Sequence, residues 1–311
     1  MVKKITIFGC GAVGATLAYN LLSRLRFDSL ALVDINEGIA KGVSLDLQDT
    51  RALLGYSTVI EAGSSAELLR DSDIVIFTAG VARKDGMTRL DLLKINGKIA
   101  KDTALSIKQY APNAIVIVVS NPLDVITYVF TRVLGFERRR VIGMGSSLDS
   151  SRMLGMISSS IAVAPSSLDG YVFGAHSEDM IVSPERIHVN GEPLDHFMAQ
   201  ADIEALPKRV QSRGAEIVSQ LKTRSAYFAP SLAVCRLIEI IANNEHKALP
   251  VAVFLDGEYG VKDICMGVPC VIGRTGIEKI IEIELTHKER KEVEKIQQLF
   301  NGLKDVLPKA D

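Results

Sequence analysis

The side chains best suited to chemistry in this chain are a histidine, a carboxylate and a set of arginines. His176 follows a short apolar run and a glycine, in Tyr171-Val172-Phe173-Gly174-Ala175-His176. An imidazole there can exchange a proton near neutral pH when a carboxylate orients it, and Asp149 is a candidate. Each also has a plainer reading. A lone histidine after a strand is more often structural. Asp149 lies in Leu148-Asp149-Ser150-Ser151-Arg152, where it can cap a helix starting near Ser150 with Arg152 on the first turn. Arg83 and Arg89 stand six apart in a glycine-bearing cationic stretch, Thr78 to Arg89, with Gly86 between them. Two guanidiniums on one mobile loop suit a small anion with two charged or polar ends, although solvated arginines are an equal alternative. Asn121, in Ser120-Asn121-Pro122, can hold a carbonyl or amide, or only turn the chain, and a cis bond to Pro122 is open. No GxSxG elbow supplies a hydrolase nucleophile, and no HExxH or paired Cys/His cluster suggests a metal.

These residues need a frame, and the first 34 residues define it. Lys3 to Phe8 reads as a strand, Gly9-Cys10-Gly11-Ala12-Val13-Gly14 as a glycine turn opening a helix, and Leu30 to Val33 as a second strand ending at Asp34. Gly9 permits the tight turn, Gly11 leaves room for a pyrophosphate, and Gly14 lets helix and strand pack closely. The helix N-terminus offers unpaired N–H groups to phosphate. Asp34 stands where a carboxylate accepts from ribose hydroxyls, and its charge disfavours a 2′-phosphate, so NAD is expected over NADP.

Further strands are expected at 58–61, 74–78, 115–119 and 141–143, with helices at 13–25, 37–49, 91–110 and 123–134. The β-branched runs Ile74 to Phe77 and Ile115 to Val119 do not alternate, which marks strands buried on both faces. The expected class is α/β, a doubly wound parallel (Rossmann) sheet over residues 1–144, with its ligand at the carboxyl ends of the strands. Residues 145–311 read differently. Helices are expected at 150–161, 202–221 and 229–243, hairpins at Asn190-Gly191 and Asp256-Gly257, strands at 250–255 and 268–272, and a capping box at Thr286 and Glu289. This is a second, α+β domain.

The 311 residues are 47% hydrophobic and carry a net charge of −1, which gives no drive towards nucleic acid or membrane surfaces. Cys10, Cys235, Cys265 and Cys270 form no CxxC pair, and the first residues run directly into a strand, so a reducing cytoplasm without a secretory leader is expected.

Taken together, GCGAVG with Asp34, AGVARKDGMTR, VSNPLDV, LDSSR, GAH, YGVKDICMGVPCVIG and GIEKIIEIEL resemble the lactate/malate dehydrogenase family nearly end to end. The resemblance implies that His176 exchanges a proton with the substrate C2 oxygen while Asp149 holds its other nitrogen. It further implies that Arg152 clamps the C1 carboxylate and that Arg89 polarises the C2 carbonyl when the loop closes. Asn121 would contact the substrate, and Gly9, Gly11, Gly14, Asp34, Asn96 and Asn121 would hold NAD. No metal is implied. Arg83 falls where the family reads the far end of the substrate, with Gln in lactate enzymes and Arg in malate enzymes, so a dicarboxylate is expected. Ala226 replaces the Thr usual in lactate enzymes. A homodimer or homotetramer is implied, with the tetramer favoured. The chain departs from the family at Ser177, where a Gly usually follows the histidine, and at Asp85, where malate enzymes often carry Pro. The remaining readings are a lactate or other 2-hydroxyacid dehydrogenase, a noncatalytic NAD(H)-binding protein and, remotely, an NAD-dependent glycosidase.

Overall fold

The computed structural model describes residues 2–81, 87–222 and 224–308, with Arg89 described by its backbone only. The first half alternates strand and helix: β1 (Lys4–Phe8), α1 (Ala12–Arg24), β2 (Ser29–Val33), α2 (Glu37–Asp49), a single turn α3 (Arg51–Leu54), β3 (Val59–Gly63), β4 (Ile74–Phe77), α4 (Arg89–Tyr110), β5 (Ile115–Val118), α5 (Leu123–Leu134) and β6 (Val141–Gly143). The six strands pair in parallel in the order β3-β2-β1-β4-β5-β6. Every residue of β4 and β5 is buried, as the β-branched runs predict. The strand order reverses between β1 and β4, and a crevice opens at the carboxyl ends on either side of such a switch.

The second half comprises α6 (Gly145–Ile161), β7 (Leu168–Asp169), β8 (Val172–Gly174), β9 (Met180–Val182), β10 (His188–Val189), β11 (Glu192–Pro193), α7 (Gln200–Leu221), α8 (Phe228–Asn243), β12 (Lys247–Asp256), β13 (Lys262–Gly273), β14 (Gly276–Ile280) and α9 (His287–Asn301). It is the expected mixture of antiparallel strands and long helices. Both hairpins form: β10 and β11 turn through Asn190 and Gly191, both at positive φ, and β12 pairs with β13.

Two features join the halves. Strands β8, β9, β12, β13 and β14 do not make a sheet of their own, and only β7, β10 and β11 stand apart as a small antiparallel sheet. β12 pairs with β6 through Ala252 and Gly143, so one eleven-stranded sheet runs through both halves. Gly143 permits that crossing, because a Cβ there would lie 2.6–2.8 Å from Thr127, Ala252 and Leu123. The larger apolar core likewise spans the halves, and α8 packs on α1, where Asn20 bonds Ser231 and Arg24 pairs with Glu239. A second cluster, including Met153, Ile157, Val189 and Leu206, joins α6 to α7 and the small β7-β10-β11 sheet. Among the described residues, no helix is long and apolar enough to cross a membrane.

Helix α9 closes over the candidate site and is locked at its start. Thr286 and Glu289 form the expected capping box. Glu289 is 2% exposed and also accepts from Ser183 Oγ at 2.5 Å and from Arg186 Nε and Nη2, both at 2.8 Å. Burial raises its pKa, but these bonds and the Arg186 charge dominate and bring it from 4.5 down to about 2. A depressed carboxylate stabilises the fold above its unfolded pKa and ceases to do so as pH falls through the folded value. Glu289→Gln is therefore expected to cost about 2 kcal/mol near pH 7. In urea melts against pH, that difference should close between about 4.5 and about 2; a constant difference across the window would exclude this assignment.

Candidate active site

The dinucleotide end is built largely from backbone. Gly9 sits at φ 109°, donates its N–H to Val33 O at 2.7 Å and accepts from Thr78 Oγ1 at 2.7 Å. A Cβ on Gly14 would overlap the Gly9 carbonyl oxygen, which is why helix and strand can approach only with glycine there. A Cβ on Gly11, the N-cap of α1, would meet nothing within 4 Å, so this corner is open. Asp34 ends β2 with its carboxylate oriented by backbone: Oδ2 accepts from Cys10 N–H at 2.7 Å and Oδ1 from Asn36 N–H at 2.9 Å. Burial and the Asp34 charge push the Cys10 thiol up to about 12, and it stays protonated. All four cysteines are buried and free.

The other strand ends are tied to one another beside this turn. Ser120 Oγ donates to Ala79 O at 2.6 Å. Asn96, 2% exposed on α4, accepts Val81 N–H at 2.9 Å and donates to Val81 O at 3.3 Å and Asn121 O at 2.9 Å. Its amide hydrogens are spent on the two loops, so its side chain braces them. The Asn121–Pro122 bond is cis.

A cavity of about 980 Å³ opens where β5, β6 and β8 end, with α7 and α9 as its far walls. Asn121, Asp149, Arg152 and His176 all line it. His176 Nδ1 lies 2.6 Å from Asp149 Oδ2, and Asp149 Oδ1 lies 3.4 Å from Arg152 Nη1. Asp149 is 1% exposed. A helix cap at Asp149 is not what the structure contains. β6 runs through Met144 directly into α6 at Gly145, which places Asp149 one turn inside the helix, facing inward. Arg152 follows at i+3 on the same face. Gly145 makes the seat for the ring, since a Cβ there would come within 2.8 Å of His176 Cβ and Cγ.

The electrostatics favour a protonated imidazole. Burial of His176 works against the charge, but Asp149, by charge and hydrogen bond, and Asp124, by charge, outweigh burial and the opposing Arg152. The net effect raises its pKa above 6.5. Burial, together with Arg213, lowers the pKa of Arg152 against the pull of Asp149. Among the described residues, Arg152 Nε and Asp124 Oδ1 are the buried side-chain polar atoms without a hydrogen-bond partner. A guanidinium N–H left unmet beside a cavity is a ready donor for an anion.

Of the sequence candidates, His176, Asp149, Arg152 and Asn121 come together on this cavity, and Gly9, Gly11, Gly14 and Asp34 on the turn. Arg83 and Asp85 lie outside the described residues. The backbone of Arg89 begins α4 rather than ending a loop, because Thr88 caps the helix and Asp91 completes a capping box; Thr88-x-x-Asp91 was the available signal. Ser177 lines the cavity and its hydroxyl accepts Asp179 N–H at 3.1 Å. Asp124 was missed. It accepts the His176 backbone N–H at 2.7 Å from the first turn of an otherwise apolar helix, and an acid among Leu123, Val125 and Ile126 was its only mark.

The sheet order, the glycine turn and the open corner at Gly11 place the chain among dinucleotide-binding α/β proteins. Comparison narrows this. Residues 3–143 match the lactate/malate dehydrogenase NAD binding domain, and residues 146–309 match the family's alpha/beta C-terminal domain. The chain belongs to the lactate/malate dehydrogenase family. It is 38% identical to a malate dehydrogenase of Staphylococcus epidermidis over 307 residues, 98% of each chain. A Cryptosporidium parvum malate dehydrogenase structure superposes with a TM-score of 0.94 at 35% identity, covering 98% of this chain and 99% of that one. The minor L-lactate dehydrogenase of Enterococcus mundtii superposes at 0.93 with 32% identity, covering 99% of each.

If the Asp149 contact is what keeps His176 basic, removing that charge leaves burial to dominate. In Asp149→Asn the His176 ring is expected to titrate below 6.5, measured by NMR of histidine-labelled protein. A midpoint unchanged from wild type would refute the electrostatic account.

Proposed function

We propose that the chain is an NAD-dependent malate dehydrogenase, interconverting (S)-malate and oxaloacetate. The observation that carries the reading is Arg152, whose buried Nε–H is unmet, beside the His176–Asp149 pair on one cavity. An anionic group held by Arg152 would sit next to a histidine able to exchange a proton. The many malate dehydrogenases among full-length relatives support the same choice.

Residues 1–144 form the cofactor half of this reading and 145–311 the substrate half, a division supported by the separate family matches to 3–143 and 146–309. The open corner at Gly11 and the Asp34 carboxylate fit a dinucleotide. Gly9, Gly11, Gly14, Asp34 and Asn121 would hold it, with Asn96 bracing the loops. When bound, the nicotinamide supplies the hydride acceptor or donor for C2. In oxidation His176 Nε2 takes the hydroxyl proton while Asp149 stabilises the imidazolium; in reduction the protonated ring returns it. Arg152 fixes the C1 carboxylate, and Arg89 polarises the C2 carbonyl.

Arg83 decides between malate and lactate. An arginine facing pyruvate's methyl group would be desolvated without a partner, whereas oxaloacetate supplies a second carboxylate. The same reading includes a small dicarboxylate as the only partner besides NAD, and assembly as a dimer or tetramer in the cytoplasm.

Steady-state rates with oxaloacetate and pyruvate, each with NADH and NADPH, test the whole proposal. Oxaloacetate with NADH is expected to win, over pyruvate by about 100-fold. Arg83→Gln should erase most of that preference, and His176→Asn should lower kcat by about a thousandfold. A preference untouched by Arg83→Gln would reassign Arg83. Absence of turnover with any 2-oxoacid would exclude the dehydrogenase readings and favour the noncatalytic NAD(H)-binding one.

A further inference from the structure

We infer that Asp124 is a positioning residue for His176, fixing its backbone from α5 and placing a second negative charge behind its imidazole. This rests on the proposed role of His176 as the proton carrier.

Three observations lead there. The first is geometry. Asp149 from α6 holds the ring at Nδ1, 2.6 Å, while Asp124 from α5 holds the main chain at N, 2.7 Å. Two carboxylates, on the helices that follow β5 and β6, fix the same residue at both ends. The second is place. Asp124 is 9% exposed, among the buried Leu123, Val125 and Ile126, and its Oδ1 takes no hydrogen bond from the described residues. Bonding one N–H requires only a neutral acceptor. A carboxylate that stays buried with one oxygen unmatched implies a use for its charge.

The third is charge balance. Among the described residues, the ionisable groups facing Asp124 are His176 after β8, Asp149 on α6 and Cys265 on β13; α9 faces the same cavity with apolar Ile296 and Phe300. Burial and the Asp124 charge push the Cys265 thiol far up, so it stays neutral. Asp149 divides its charge between His176 and Arg152. With the ring protonated, Asp124 brings the group to two carboxylates against two cations; without it, the imidazolium and Arg152 would share one. Burial pushes Asp124 up to about 6, with the His176 charge and N–H opposing, so the protonation of each group influences the other.

Asp124→Asn is nearly isosteric, and its amide oxygen can still accept the His176 N–H, so it removes charge and keeps the bond. NMR of histidine-labelled protein, with His176 assigned through His176→Asn, is expected to show its titration midpoint lower by about one pH unit. The basic limb of kcat/KM for oxaloacetate reduction should move with it, while KM for NADH stays unchanged. A purely structural role would lower rates without moving either profile, and an unmoved midpoint overturns the inference. Should Asp124→Asn fail to fold, the wild-type His176 resonance decides: two inflections, the lower from Asp124, support it, and a single inflection overturns it. If the wild type does not turn over oxaloacetate, the proposed activity fails, whereas the NMR midpoint still judges Asp124 on its own.

Discussion

The hydrogen bond between Asp149 and His176 is the contact around which the candidate site is assembled. A carboxylate 1% exposed is unfavourable unless its charge is met, and here an imidazole and a guanidinium meet it from two sides. Both partners follow from the way β6 enters α6. With Met144 alone between strand and helix, the first turn of α6 lies at the strand end, and Asp149 and Arg152 fall on one inward face. Gly145, on that same turn, leaves room for the ring to seat. Had the helix begun at Ser150, Asp149 would have been spent on capping.

That arrangement needs β6 and β8 to stay in register across the chain's two halves, and the sheet supplies the rigidity. β12 and β13 pair between them, so the strand bearing Gly174 and the strand bearing Gly143 belong to one hydrogen-bonded surface. Helix α8 then returns across the boundary to pack on α1, the helix that opens at the glycine turn. The turn and the histidine are therefore positioned by one continuous core rather than by two bodies meeting at a linker.

Much of this was legible in the sequence, and the limits have physical reasons. The first-half strands could be read because burial on both faces leaves unbroken runs such as Ile74 to Phe77. The turn could be read because Gly9 and Gly14 are demanded by a positive φ and a backbone contact that leave no alternative residue. The sheet's continuity could not, since the β6–β12 junction joins Gly143 to Ala252, over a hundred residues apart, with no local pattern. The helix carrying Asp149 and Arg152 starts five residues earlier than its sequence suggests, because Gly145-Ser146-Ser147 has low helix propensity and only the strand before it and the core beside it hold it helical. Asp124 was invisible for the opposite reason: acids in a first turn are common caps, and nothing local shows that this one points inward at a histidine.

The two ends of the site are read by different physics, which bears on where specificity resides. At the dinucleotide end, glycines and backbone N–H groups form a shape, and in the proposed reading one carboxylate, Asp34, would distinguish ribose from its phosphate. At the substrate end, the rigid frame holds Asp149 and Asp124 against His176 and Arg152, a set with no net charge once the ring is protonated. In the proposed reading a dicarboxylate would bring two negative charges into that balanced set. Those four groups leave no spare cation among themselves, so the balancing charges have to come from outside the set: Lys208 on α7 lines the same cavity, Arg83 precedes α4 in sequence and Arg89 is its first residue. A substrate with one carboxylate would leave the second arginine uncompensated. Discrimination by charge then requires the frame itself to be neutral, since an excess of fixed positive charge would accept mono- and dicarboxylates alike.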